Sequence, residues 1–317
     1  MTFVRYIVPL IVEANKQGID INVFVGKSSR HYNCAKTNIS YIKELSEEYN
    51  FKLFDIDEIK NHTGPILLCE DCGTEVIGDL PNKTYSLLYM SDFFKLYDSY
   101  VDKVDHVIFP SKFVAEYYNK ISDKNLYLGC PKYDYETKNR NELLQKYKLD
   151  ENQYALVVFP RRRDLGQINL DVIYGYLKNM GFKIIVKTRG KDPVHEKQHQ
   201  GDHYYMDYSW YPHDTIELMN LSEVVINFGS TTVKECVMTK TPLIDFNIKP
   251  KHITRDYDFL YDYSYCKVLK SEVSFDDFSN SIKQILKTPV EIYDDVINKY
   301  LFTGNSSKKI LDLVIQE

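Results

Sequence analysis

Val224-Val225-Ile226-Asn227-Phe228-Gly229-Ser230-Thr231-Thr232-Val233-Lys234-Glu235 is the stretch on which the reading of this chain turns. Its first residues form a short, β-branched apolar run, as expected of a parallel strand covered on both faces. Gly229 permits a tight turn in which backbone comes close to a ligand. Ser230, Thr231 and Thr232 can cap the helix that follows, whose first N–H groups and positive dipole end favour an anion. Glu235 lies one turn inside that helix, where a carboxylate can reach hydroxyls of whatever the turn holds. The unit suits a phosphate joined to a sugar or ribose. It is equally an ordinary strand-turn-helix unit with a well-capped helix.

Working outward, short apolar runs alternate with amphipathic segments along most of the chain, which predicts parallel α/β organisation. Upstream of the stretch, 154–159 and 183–186 read as strands, 169–179 and 215–220 as helices, and 204–206 as a short strand; downstream, 242–246 is a strand. In the first half, helices are expected at 3–17, 38–49 and 112–120. Strands are expected there at 19–25, 51–54, 65–69, 85–90, 104–110 and 125–128. Residues 136–152, polar and rich in Lys, Asn and Glu, read as a linker. The expected division is therefore an N-terminal domain at 1–135, a linker at 136–152, a C-terminal domain at 153–290 and a C-terminal helix at 291–317 that packs back on the first domain. A Rossmann-like domain normally opens on a strand and a turn, whereas helix 3–17 comes first here: the N-terminal domain lacks its first strand, or that strand is supplied elsewhere, or the natural start lies upstream.

In doubly wound sheets ligands gather beyond the C-terminal ends of the strands. Strand 154–159 exits into Pro160-Arg161-Arg162-Arg163-Asp164, whose guanidinium groups can hold a pyrophosphate bidentately or form a solvated basic turn. Strand 183–186 exits into Lys187-Thr188-Arg189-Gly190, a second basic exit. Trp210 and Tyr211, in the loop before the opening stretch, can border a nucleobase or plug a domain interface. In the first half the carboxylates at strand exits are Glu70, Asp71 and Asp92, each a candidate general base toward an acceptor hydroxyl. Asp92 can equally cap a helix at 93–97.

Composition narrows the choices. The 317 residues are 44% hydrophobic, enough for two cored domains, and the net charge of -5 argues against a general nucleic-acid binder. The pair Cys69 and Cys72 has no second CxxC to complete a zinc site. His195, His199 and His203 recur at a spacing of four in a polar stretch and read as a solvated helix or loop face, with a metal site as the alternative. No apolar run is long enough to span a bilayer, and no signal peptide is seen. A reducing, cytoplasmic location is expected, with peripheral membrane contact compatible with it.

Several of these segments carry a resemblance. Phe159-Pro160-Arg161-Arg162-Arg163-Asp164, Leu221 through Thr232, and Lys240-Thr241-Pro242-Leu243-Ile244 resemble three motifs of the nucleotide-binding domain of GT-B glycosyltransferases. The likeness is closest to the branch with CDP-glycerol glycerophosphotransferases and surface-polysaccharide transferases. Thr303-Gly304-Asn305-Ser306-Ser307-Lys308-Lys309-Ile310 resembles the terminal helix signature of that branch. Asp105-His106-Val107-Ile108-Phe109-Pro110-Ser111 and Gly129-Cys130-Pro131-Lys132-Tyr133-Asp134 resemble the last strand and the exit turn of its N-terminal domain. Many relatives carry His where this chain has Ser91-Asp92, and the His- and Glu-rich motifs of the related nucleotide-sugar 2-epimerases are not found.

The resemblance implies two Rossmann-like domains facing across a cleft. It implies a metal-independent transferase with no cofactor beyond its nucleotide-sugar donor, acting on a glycan or other hydroxyl acceptor. Donor binding then falls to Arg161, Arg163, Lys187, Arg189, Trp210, Tyr211, Gly229, Ser230, Thr231, Thr232 and Glu235, with Asp92, Glu70 or Asp71 as base. A polyol phosphate transferase of the CDP-glycerol type, a 2-epimerase and an inactive binding subunit are the alternatives. The carboxylate base belongs to an inverting reaction; nucleobase, sugar, acceptor, inversion or retention, and oligomeric state stay open.

Overall fold

The computed structural model describes residues 4–26, 39–69, 73–78, 80–88, 94–136, 138–160, 162–189, 200–207, 211, 213–246, 248, 258–301 and 304–316. The chain forms two compact units, one of residues 1–135 with 298–317, the other of residues 136–297.

The second unit is built on a six-stranded parallel sheet. Its strands are β7 (Tyr154–Val158), β8 (Lys183–Arg189), β9 (His203–Asp207), β10 (Val224–Asn227), β11 (Leu243–Phe246) and β12 (Cys266–Leu269), and their spatial order is β12-β11-β10-β7-β8-β9. Counted from β7, this is the doubly wound order in which the first strand sits centrally and the winding reverses beside it. Every residue of β7, β10 and β11 is buried, which is why these strands are apolar on both faces except at Asn227 and Asp245. Register divides their side chains between two faces. Ala155, Val157, Ile184, Val186, Val224, Ile226, Ile244 and Phe246 meet Ile173, Leu177, Phe278 and Ile282 in one core. Those last four come from helices Leu170–Asn179 and Phe275–Ile285, whose first turns are closed by Asn169 and Ser274 accepting from Val172 and Asp277 N–H groups.

Helix Arg140–Tyr147 is fastened to helix Asp214–Asn220 by a polar cluster. The fully buried Glu217 carboxylate accepts from Tyr147 Oη at 2.5 Å and pairs with Lys146, while Tyr147 Oη also lies 3.0 Å from Asp214 Oδ1. Burial, and then the charges of Asp214 and Glu217, push the Tyr147 phenol far above its ordinary value, so it stays a neutral donor.

The first unit opens, among the described residues, with helix Val4–Gln17, which ends at Gly18. Its strands fall in two parallel sheets. One pairs β1 (Asn22–Val25) with β2 (Lys52–Asp55). The other runs β3 (Ile66–Cys69), β4 (Thr84–Leu87), β5 (His106–Phe109) and β6 (Asn125–Tyr127) in sequential order. Tyr6, Leu10 and Ala14 of the first helix share a core with Cys69, Tyr85, Leu87, Ile108, Cys130, Ile310 and Leu311.

The α/β class and the alternation of elements expected from the sequence are found, with three local differences. Residues 291–317, read as one helix, are helix Val290–Val296, a π-helical turn at Ile297–Leu301 and helix Ser306–Gln316. Gly304 and Asn305, both at positive φ, lie just before the last of these. Strand β12 was not anticipated: Cys266-Lys267-Val268-Leu269 has no apolar run, and as an edge strand it leaves Val268 exposed. Strand β8 extends through Arg189, so Lys187 and Arg189 belong to the strand itself rather than to the loop after it.

Candidate functional site

The winding reverses between β7 and β10, and the register pairs Val157 with Ile226, so the exits of these two strands are neighbours. One exit leads to Pro160 and the arginine run; the other is the Gly229–Thr232 turn. This is the place at which doubly wound sheets bind ligands.

The turn is held from beneath. Gly229 takes φ +66, a left-handed conformation in which a side chain is strained. Its N–H donates to Asp245 Oδ1 at 2.9 Å, and the same oxygen accepts from Asn227 Nδ2 at 2.7 Å. Asn227 and Asp245 are sheet partners on β10 and β11, so their side chains project on one face, and both are fully buried. Asn227 then grips Ser230 twice, donating from Nδ2 to its carbonyl at 3.1 Å and accepting from its hydroxyl at 2.7 Å. Tyr261, in the short 3-10 helix Asp258–Tyr261, also donates to the Ser230 carbonyl, at 3.1 Å.

These bonds correct one expectation. Thr232 precedes helix Val233–Met238 but makes no side-chain capping bond to it. Its backbone is already helical, so its hydroxyl does not point back over the first turn. Instead Ser230 Oγ accepts from Thr232 N–H at 3.3 Å and pairs with the Thr232 hydroxyl. Because the one Ser230 proton goes to Asn227, Thr232 is the donor of that pair. Thr231 is the exposed member of the turn.

The other candidate residues divide as follows. Glu235 is buried, 6% exposed, inside helix Val233–Met238. Burial, then the charges of Glu235 and others including Asp245, push the neighbouring Cys236 thiol well up, so that cysteine is a neutral core residue. Lys187 is also buried, at 7%, on the same sheet face as Val158 and Tyr205, its register partners on β7 and β9. The backbone of Arg163 lies in the 3-10 helix Arg162–Gln167, Arg189 ends β8, and Tyr211 is half-buried. Glu70, Asp71, Asp92, Arg161 and Trp210 lie outside the described residues. Among the described residues, no group of three His, Cys, Asp or Glu side chains is placed to hold a metal, and no helix is long and apolar enough to cross a membrane.

Asp245 and Tyr261 were not singled out from the sequence. A lone carboxylate inside the apolar run Pro242-Leu243-Ile244-Asp245-Phe246 was the available signal, since such a residue stays in a buried strand only with hydrogen-bond partners. Nothing local marks Tyr261.

No family model matches this chain, and no curated protein does. Solved structures do. A variant of the wall teichoic acid polymerase TagF soaked with CDPG is 13% identical at a TM-score of 0.64, over 93% of this chain and 88% of that one. The UDP-GlcNAc 2-epimerase of Methanocaldococcus jannaschii, in complex with UDP-GlcNAc and UDP, is 13% identical at a TM-score of 0.63, over 99% and 97%. A glycosyltransferase of Rickettsia africae ESF-5 is 14% identical at a TM-score of 0.54, over 100% and 95%. The chain thus has two Rossmann-like units and shares the GT-B fold of these solved structures.

Proposed function

We propose that this protein is a glycosyltransferase that moves a sugar from a nucleotide-sugar donor to a glycan or other hydroxyl acceptor without a metal or further cofactor. The observation that carries the reading is the pre-shaped Gly229–Thr232 turn at the winding reversal of the second unit, beside the exit to Arg161 and Arg163. In this reading the donor diphosphate lies on the turn. Arg161, Arg163, Lys187 and Arg189 neutralise the nucleoside diphosphate as it leaves, and side-chain cations in a dry site do this without a metal. Trp210 and Tyr211 border the base, and Glu235 binds ribose or sugar hydroxyls. The acceptor oxygen attacks the anomeric carbon, its proton passes to Asp92, Glu70 or Asp71, and the bond from sugar to diphosphate breaks.

The second reading is a polyol phosphate transferase, in which the acceptor attacks phosphorus. The likeness to TagF soaked with CDPG favours it. Incubating the protein with a panel of nucleotide-sugars and CDP-glycerol, with mass spectrometry of nucleotide and acceptor products, separates the two. Release of nucleoside diphosphate from a nucleotide-sugar supports sugar transfer, and release of CMP supports the phosphotransferase. Epimerised donor with no nucleotide released supports an epimerase, and nucleotide binding without turnover supports a binding subunit. Arg161→Ala and Glu235→Ala variants that bind nucleotide as tightly as the parent protein would remove those two residues from the site.

A further inference from the structure

We propose that Asp245 is a positioning residue for the donor site: from beneath the turn, it sets the one conformation of Gly229–Thr232 that a diphosphate meets. The inference rests on the donor-turn reading above. Three observations carry it. First, one carboxyl oxygen of Asp245 joins two elements, accepting the Gly229 backbone N–H at 2.9 Å and the Asn227 amide at 2.7 Å. The glycine in its left-handed conformation is thus tied to the neighbouring strand as well as to its own. Second, this bond fixes which way the Asn227 amide faces. With Nδ2 turned toward Asp245 and the Ser230 carbonyl, Oδ1 is left to accept the Ser230 hydroxyl at 2.7 Å. A flipped amide would set two acceptors, Oδ1 and the carboxyl, against each other and leave the Ser230 hydroxyl facing a donor. The orientation of Ser230, and through it of Thr232, therefore descends from Asp245 by a chain of single hydrogen bonds. Third, the Gly229 N–H is committed to Asp245, so it is a support of the turn and not one of the groups a phosphate contacts. Asp245 is itself fully buried, beneath the turn that these bonds shape.

A preset turn loses less conformational freedom on binding than one that must be ordered by its ligand. Removing Asp245 should therefore weaken nucleotide binding without altering any group that touches the nucleotide. The test compares Asp245→Ala and Asp245→Asn with the parent protein by calorimetric titration with UDP, CDP, ADP, GDP and dTDP, well below each protein's unfolding temperature. Exchange of the Gly229 amide proton is followed by NMR. Asp245→Asn retains an oxygen that can accept both bonds, so it should bind within about threefold of the parent and keep the amide protected. Asp245→Ala should bind at least about tenfold more weakly, with the amide exchanging faster. If Asp245→Ala does not fold, Asn227→Ala breaks the same link from the other strand and should give the same loss. Equal binding by the parent and the Ala variant overturns the inference alone. So does an Asn variant as impaired as the Ala variant, which would make the charge, not the acceptor geometry, the determinant. A parent protein that binds none of the five diphosphates overturns the donor-turn reading and this inference with it.

Discussion

Asp134 caps a helix that begins 172 residues further along the chain: its two carboxylate oxygens accept the Ser306 N–H at 3.2 Å and the Ser307 N–H at 2.5 Å. Ser306 returns the link, its hydroxyl accepting the Cys130 N–H at 3.1 Å. The Gly129–Asp134 turn and the Gly304–Ser307 segment, which the sequence presents as two unrelated motifs, are thus halves of one clasp within the first unit. A negative side chain on the first N–H groups of helix Ser306–Gln316 satisfies donors that the helix itself cannot and complements its dipole. Asp134→Ala should cost about 1–2 kcal/mol of stability, and Asp134→Asn less, since an amide oxygen can keep one of the two bonds. Urea denaturation of the three proteins checks the order, and equal midpoints would show that water caps the helix as well as Asp134 does.

The link between Thr84 and Asp105 predicts an acid sensitivity. Asp105 accepts from the Thr84 N–H at 2.7 Å and the Thr84 hydroxyl at 2.8 Å, and its own N–H donates to Thr84 Oγ1 at 3.0 Å. Burial acts to raise the Asp105 pKa, but these hydrogen bonds, together with the charges of His106 and Lys83, outweigh it and hold the carboxyl below its ordinary value of 3.8. A carboxyl with a lowered folded pKa stabilises the fold above its unfolded value, and the contribution disappears as pH falls through the folded one. The stability difference between the parent protein and Asp105→Asn should therefore be constant from neutral pH down to about pH 5 and shrink below pH 3.8. Denaturant midpoints measured across that range are the check; a difference independent of pH would mean that the carboxylate form contributes nothing.

What the sequence made legible follows from how local each signal is. The β10 strand and the Gly229 turn were readable because a buried β-branched run, a glycine and a hydroxyl run each act on their own neighbours. The bonds that shape the turn were not readable, because they come from Asp245 and Tyr261, at 16 and 31 residues' separation. Only sheet register brings Asp245 beside Asn227. The hydroxyl run illustrates the limit: its composition is that of a helix cap, yet its hydrogen bonds turn inward to Asn227 because a buried amide one strand end away competes for them. In the same way Asp134 reads as an ordinary turn residue until helix Ser306–Gln316 is brought to it.

The cluster that fastens helix Arg140–Tyr147 predicts an asymmetry between two partners of one ion pair. Glu217 has no solvent exposure, whereas the Lys146 side chain is 30% exposed and lies 3.8 Å from Asp214. Losing Lys146 leaves a fully buried carboxylate without its ammonium; losing the Glu217 charge leaves an ammonium that can turn to water and Asp214. Breaking a buried pair costs about 3–5 kcal/mol when the remaining charge has no outlet, and less when it has one. Lys146→Ala should therefore be more destabilising than Glu217→Gln by about 1 kcal/mol or more. Equal losses in denaturant unfolding would show that Glu217 is neutral in the folded protein.

Two glycines in the left-handed region separate stability from binding. Gly229, at φ +66, lies in the proposed donor turn; Gly304, at φ +88, precedes the helix capped by Asp134 and has open space where a Cβ would stand. A side chain at either position strains the backbone by about 1–2 kcal/mol. Gly304→Ala should lower the unfolding midpoint by that amount and leave nucleotide affinity where it was, because Gly304 is outside the set of bonds that holds the turn. Gly229→Ala should show a comparable loss of stability and, in addition, weaken nucleoside diphosphate binding by at least about tenfold, since relief of the strain moves the N–H that Asp245 holds and with it Ser230. Asn tolerates positive φ better than Ala, so Gly229→Asn should recover part of both losses. Midpoints and calorimetric affinities of the three variants decide the matter: a Gly229→Ala protein that is destabilised like Gly304→Ala but binds nucleotide normally would move the diphosphate away from this turn.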